Sequence, residues 1–128
     1  MRLLLDTHVF LWWLDGDRQL SRRARTAIAN EDNEVLVSAA TAWELSTKAR
    51  LGKLPGAVDV ATDVAGCLGR QGFRDLPISV IHAQRAGSLR IDHRDPFDRM
   101  LIAQAQMEDL PIVSNERLFD ECGISRIW

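Results

Sequence analysis

Leu3-Leu4-Leu5-Asp6-Thr7-His8-Val9-Phe10-Leu11-Trp12-Trp13-Leu14 opens with an apolar triplet that lacks polar alternation. Such a run marks a strand buried on both faces, as in a parallel sheet covered by helices. The residues after Asp6 read as a short helix over Thr7–Asp15, closed by Gly16. The same unit recurs at Glu34-Val35-Leu36-Val37-Ser38, followed by a helix from Ala39 to Leu51 with Gly52 just past its end. Leu110 to Ser114 is a third buried strand. Before it runs the plainest helix of the chain, with Asp95 as N-cap, Pro96 at its first position and an end near Asp109.

The intervening segments fit the same rhythm. Ser21 caps a helix over Arg22 to Asn30, and one helix runs from Ala57 to Arg70, stopping at Gly72. Phe73 to Ile78 is a weak strand interrupted by Pro77, which places it at the sheet margin. Ser79 caps a helix reaching Ala86, and Ile124 to Trp128 is the last strand. Strands alternating with helices predict a layered α/β fold around a mostly parallel sheet.

The 128 residues amount to one domain of usual size. No repeat, low-complexity tract or linker divides them, so residues 1–128 are expected to form a single domain. The longest unbroken apolar stretch, Val9 to Leu14, is far short of the ~20 residues a membrane span needs. Met1-Arg2 runs straight into the first strand without a cleavable apolar leader. Cys67 and Cys122 are too few for a disulfide framework and form no metal-binding pair. A soluble, unprocessed, cytoplasmic protein with reduced thiols and no membrane contact is expected.

Sixteen Lys and Arg against eighteen Asp and Glu give a net charge of −2, so no global field points to a polyanionic partner. Fourteen of the basic residues are Arg, and only Lys48 and Lys53 are Lys. The planar guanidinium suits phosphate or an acidic partner protein. A genome of high G+C content gives the same bias.

In an open parallel sheet, ligands bind beyond the carboxyl ends of the strands. Asp6 ends the first strand, and Ser114-Asn115-Glu116 ends the strand begun near Leu110. Asp95 and Asp98 occupy the first turn of the long helix, and Glu44 lies about one and a half turns into the helix after the second strand. Four elements thus deliver acids to one rim, with Arg99 and Arg117 the only basic residues among them.

Each acid has a bland reading. Asp6 ends a strand, Asp95 reads best as a cap, and Glu44 can pair with Lys48 at i, i+4 on an exposed face. Glu44 is nonetheless flanked by Trp43 and Leu45 in an alanine-rich stretch, where an unpaired charge is expensive. Carboxylates crowded on one rim raise one another's pKa values, and divalent cations relieve them. Oxygen donors without a Cys or His cluster suit Mg²⁺ or Mn²⁺ rather than zinc. Two such ions roughly 3.5–4 Å apart activate a water and stabilise the leaving oxygen of a phosphodiester. His8, His82 and His93 share no ligand spacing and are expected at the surface or half buried. No Gly-rich phosphate loop is present.

The opening segment Leu3 to Leu14 resembles that of PIN-domain ribonucleases, specifically the VapC-type toxins of bacterial toxin–antitoxin pairs. Ser38-Ala39-Ala40-Thr41-Ala42-Trp43-Glu44-Leu45 is similar to the second acidic motif of that family. His93-Arg94-Asp95-Pro96-Phe97-Asp98-Arg99-Met100-Leu101-Ile102-Ala103-Gln104-Ala105 resembles the third and is the most specific. Ile112-Val113-Ser114-Asn115-Glu116, followed by Phe119, resembles the fourth. The motifs stand in family order and span nearly the whole chain.

The resemblance implies a PIN-like three-layer α/β/α sandwich and metal-binding acids at Asp6, Glu44 and Asp98. Glu116 stands where the family commonly has Asp, a change that adds one methylene to that acid. Ser114 matches a Thr or Ser hydroxyl position that helps hold an acid or a water, and Thr7 is expected to do the same for Asp6. The implied activity is metal-dependent endoribonuclease chemistry, in which a metal-activated water attacks a phosphodiester with no covalent enzyme intermediate. The implied partners are an RNA substrate and a cognate antitoxin that blocks the acidic site, often with a basic side chain. Homodimers or toxin–antitoxin hetero-oligomers are expected, and Trp12, Trp13 and Trp43 are available to such contacts or to the core.

Two other classes compete. A non-catalytic RNA- or protein-binding α/β domain would use the acids structurally. An aspartyl-phosphate fold also places an Asp after its first strand. Asp6-Thr7-His8 lacks the Asp-x-Asp of phosphatases, however, and neither Lys48 nor Lys53 ends a late strand as a receiver domain requires.

Overall fold

Leu3, Leu4 and Leu5 are completely buried, and β1 (Arg2–Leu5) is the middle strand of a five-stranded sheet in the computed structural model, which describes residues 1–128. On one side lies β2 (Glu34–Ser38), with β3 (Arg74–Leu76) beyond it at the edge. On the other lie β4 (Ile112–Val113) and the edge strand β5 (Arg126–Ile127). Every pairing is parallel, with Leu4 opposite both Leu36 and Ile112. The mostly parallel sheet expected from the sequence is thus wholly parallel.

Period-two alternation sends the strand side chains to two separate cores. Leu3, Leu5, Val35, Val37 and Val113 face one side. There they meet α1 (Thr7–Asp15), α2 (Arg22–Ala29), α3 (Ala39–Arg50), α4 (Val58–Thr62) and α5 (Val64–Gln71). Leu4, Leu36 and Ile112 face the other side, against Leu101, Ile102 and Ala105 of α7 (Pro96–Met107). The remaining helix, α6 (Val80–Ser88), packs along α7. Helices on both faces of the sheet make the expected three-layer α/β/α sandwich. No helix is long and apolar enough to cross a membrane.

Several boundaries differ from the sequence reading. The single helix expected over 57–70 is two helices, broken at Asp63, whose backbone leaves the helical region at φ −149° and ψ 60°. Its carboxylate accepts a hydrogen bond from the Gly66 N–H. This is the usual competition between a short polar side chain and the helical backbone. A side chain at position 66 would collide with that carboxylate. The weak strand is a three-residue edge strand ending before Pro77. The last two strands shorten to two residues each, α2 stops one residue early with Asn30 as C-cap, and α6 runs on to Ser88.

A short 3-10 helix, Arg117–Cys122, was not anticipated; it carries the fully buried Phe119 into the second core. Trp12 and Trp13 pack against the first core, whereas Trp43 is 58% exposed and meets the Phe97 ring edge-on. Cys67 and Cys122 are both free thiols.

A buried polar chain ties the layers together. Gln104, with no exposed surface, accepts from the Ser38 hydroxyl and donates to the Pro77 carbonyl at 3.2 Å. His82 is buried, not at the surface. Its Nδ1 accepts from the Ser79 N–H in a capping box, so Nε2 carries the proton towards Glu108 at 2.9 Å. Every buried side-chain nitrogen and oxygen has a partner.

Candidate metal centre

All five strands run the same way, so their carboxyl ends share one edge of the sheet. Asp6 follows β1 directly. Its extended backbone makes it the N-cap of α1, with Oδ1 accepting from the Thr7 N–H at 2.7 Å. The second oxygen, Oδ2, accepts from the Ser114 hydroxyl at 2.7 Å, just past β4. That hydroxyl also accepts the Glu116 N–H at 3.0 Å. One serine therefore joins the acid of the first strand to the loop of the fourth. The ligating atoms of Asp6, His8 and Glu116 all lie within 4.8 Å of one another.

Asp98 projects from the first turn of α7, and its Oδ2 lies 2.8 Å from His93 Nε2. Asp95 does what the sequence reading assigned it: Oδ1 accepts from the N–H groups of Phe97 and Asp98, capping α7. Asp95→Ala is expected to lower stability by about 1 kcal/mol, the usual loss for a cap, and Asp95→Ser to recover most of it. The midpoint of urea unfolding measures both. An alanine variant as stable as the parent would mean that the cap contributes nothing.

Glu44 combines the two sequence alternatives. It is 5% exposed, so the pair does not stand on an exposed face, yet Lys48 does partner it at i, i+4. Lys48 Nζ donates to Glu44 Oε2 at 2.6 Å, and the Thr7 hydroxyl donates to Oε1 at 2.7 Å. Thr7 was expected to hold Asp6 through its hydroxyl. Its backbone N–H does that instead, and the hydroxyl serves Glu44 while accepting from Thr41 at 3.1 Å. The cause is the packing of α1 against α3, which sequence spacing does not reveal.

Burial pushes the Asp6 carboxyl up to about 6, with the charges of Asp98 and Glu116 adding to it and the Ser114 hydrogen bond and His8 opposing. Burial also raises Asp98, helped by Asp95 and Glu116 and opposed by His93. For Lys48, burial disfavours the ammonium, but the Glu44 hydrogen bond and the charges of Glu44, Asp95 and Asp98 outweigh it and raise its pKa. Acids whose charged form is disfavoured by burial and by one another are the ones a cation would relieve. The donor set, carboxylate oxygens with one imidazole, fits Mg²⁺ or Mn²⁺.

Asp6, Asp98 and Glu116 therefore gather on one rim, and Glu44 joins through Thr7 with its charge already balanced by Lys48. His8 and His93 belong to the same rim and were missed as site residues. The available signal was positional: each lies inside a segment that also carries one of the acids.

The class is thus a fully parallel α/β/α sandwich with acids gathered past its strand ends. The family model for the PIN domain matches residues 3–124, and the chain belongs to that family. No curated protein matches it in sequence. Among solved structures, DNA-bound VapBC from Salmonella typhimurium is similar at 21% identity and a TM-score of 0.70, covering 98% of this chain and 96% of that one. A toxin-antitoxin complex from Klebsiella pneumoniae is also 21% identical, with a TM-score of 0.62 over 90% of this chain and 87% of that one. VapC20 of Mycobacterium tuberculosis, a sarcin-ricin loop cleaving toxin, is 16% identical with a TM-score of 0.69, covering 95% of each chain. At these identities the likeness establishes the fold.

Proposed function

We propose that this chain is a metal-dependent endoribonuclease and the toxin of a toxin–antitoxin pair. The observation that carries the reading is buried Asp6, its carboxyl raised to about 6 beside Asp98 and Glu116, at the ligand-binding edge of a PIN domain. Asp6, Asp98 and Glu116 would hold Mg²⁺ or Mn²⁺, with Glu44 contributing from the rim through its contact with Thr7. A divalent cation there would acidify a water and neutralise the phosphate. Asp6 and Ser114 keep their oxygens in place for it, and Lys48 limits the charge that Glu44 adds. The cleaving activity of the Mycobacterium tuberculosis neighbour supports RNA as substrate, and the Klebsiella complex supports an antitoxin partner. Trp43, with the exposed Val80 and Ile81, offers apolar surface to that partner or to a second copy.

Expression of the chain alone is expected to arrest growth, with co-expression of the small protein encoded beside it restoring growth. In vitro, Mn²⁺ at one hundred times its Kd should stabilise the protein by about 2.7 kcal/mol. Protons compete for Asp6, so this response should fade as the pH falls below about 6. Normal growth with abundant folded protein, intact RNA and no metal response would favour the non-catalytic binding domain.

A further inference from the structure

We propose that His93 is a positioning residue for Asp98, held in place by an Arg99 clamp on the connection between α6 and α7. The inference rests on the reading of Asp98 as a cation ligand. Arg99 follows Asp98 directly in α7, where a guanidinium facing the acids would oppose a cation. It turns away instead. All five of its N–H donors go to backbone carbonyls. Nε donates to Ala86, Nη1 to Ile91 and His93, and Nη2 to Gly87 and Leu89, at 2.7–3.4 Å.

Two of these carbonyls belong to the last turn of α6, which has no helical partners for them. The other three lie in the connection from Leu89 to Asp95, which has no regular structure to satisfy its backbone. The Arg99 charge is thus met by carbonyl dipoles, and the connection is anchored to the helix that carries Asp98. The anchor includes the His93 carbonyl itself, at 2.9 Å.

The consequence falls on Asp98. Its carboxylate has one side-chain partner, His93 Nε2 at 2.8 Å to Oδ2. With an ionised carboxylate as acceptor, Nε2 carries the proton. An aspartate in a first helical turn has several rotamers open to it, and this hydrogen bond selects one for the half-buried Asp98 while leaving Oδ1 free of protein partners. Hydrogen bonds of this kind to ligating carboxylates are worth roughly 10–100-fold in metal affinity.

The test is Mn²⁺ affinity, read by electron paramagnetic resonance on the full chain, for His93→Leu, His93→Gln and Asp98→Asn. His93→Leu is expected to weaken binding about tenfold or more, and His93→Gln, which keeps a donor at similar reach, to restore most of it. Metal-free melting temperatures of the two His93 variants should match the parent, which separates positioning from folding. Parent-like affinity in His93→Leu, or equal weakening in both His93 variants, would overturn the proposal while loss of binding in Asp98→Asn left the nuclease reading standing. Parent-like affinity in Asp98→Asn would remove that reading and this one with it. For the clamp, Arg99→Lys should speed amide exchange in residues 89–93, and unchanged exchange would overturn that part. The His93 comparison decides the positioning role whether or not Arg99→Lys folds.

Discussion

Asp6→Asn is expected to stabilise the metal-free protein at pH 7.5 while abolishing its response to Mn²⁺ and its cleavage of RNA. The Asp6 carboxyl stands at about 6 in the folded chain against 3.8 as its ordinary value. The folded state therefore holds this proton more tightly than the unfolded state. The favourable contribution of the protonated form is complete below about pH 4 and is lost as pH rises through about 6. A shift of about two pKa units corresponds to about 3 kcal/mol. Asparagine escapes this loss. Its side-chain oxygen can keep the Thr7 N–H, and its amide can donate to the Ser114 hydroxyl. Urea midpoints across pH 4–8 should therefore converge at the acid end and separate at the alkaline end, with the variant higher. A variant less stable than the parent at pH 7.5 would mean that Asp6 is a structural cap alone.

The second large effect belongs to Lys48. On an exposed helix face, the Glu44–Lys48 pair would be worth a few tenths of a kcal/mol. In this chain the glutamate is buried, and Lys48→Met would leave its carboxylate with only the Thr7 hydroxyl. Stranding one member of a fully buried pair costs about 3–5 kcal/mol. The Lys48 side chain is about one-third exposed, so solvent screens part of this and about 2 kcal/mol is the expected loss. Combining Lys48→Met with Glu44→Gln should recover most of it, because the stranded charge is gone. The double-mutant cycle measures that coupling directly. Strict additivity of the two losses would return the pair to an ordinary surface contact. Glu44→Gln alone should preserve the fold, since Lys48 can turn to solvent, and should abolish cleavage.

Much of the fold was legible because its strands are buried on both faces. Leu3-Leu4-Leu5 and Val35-Leu36-Val37 carry no polar residue to suggest anything but interior parallel strands. The break at Asp63 was not legible, since apolar spacing runs on through it while a local side-chain hydrogen bond ends one helix and starts the next. Asp6, Asp98 and Glu116 could be read because each sits at or beside a boundary between elements, where position follows from topology, whereas Glu44 lies inside α3 and stood out by its apolar neighbours. Their partners could not. The Thr7 hydroxyl finds Glu44 only when α1 packs on α3, and His93 finds Asp98 only when the connection from α6 lies back against α7. Those contacts join segments that local pattern does not relate.

The most direct test incubates the purified chain with RNA in Mg²⁺ or in excess chelator, beside Asp6→Asn, and determines the chemistry of the new ends. Water attack on the phosphodiester produces ends without a 2′,3′-cyclic phosphate. The account expects Mg²⁺-dependent cleavage with such ends by the parent chain, and none by Asp6→Asn. Cleavage that persists in chelator, survives Asp6→Asn or leaves 2′,3′-cyclic phosphates would contradict it.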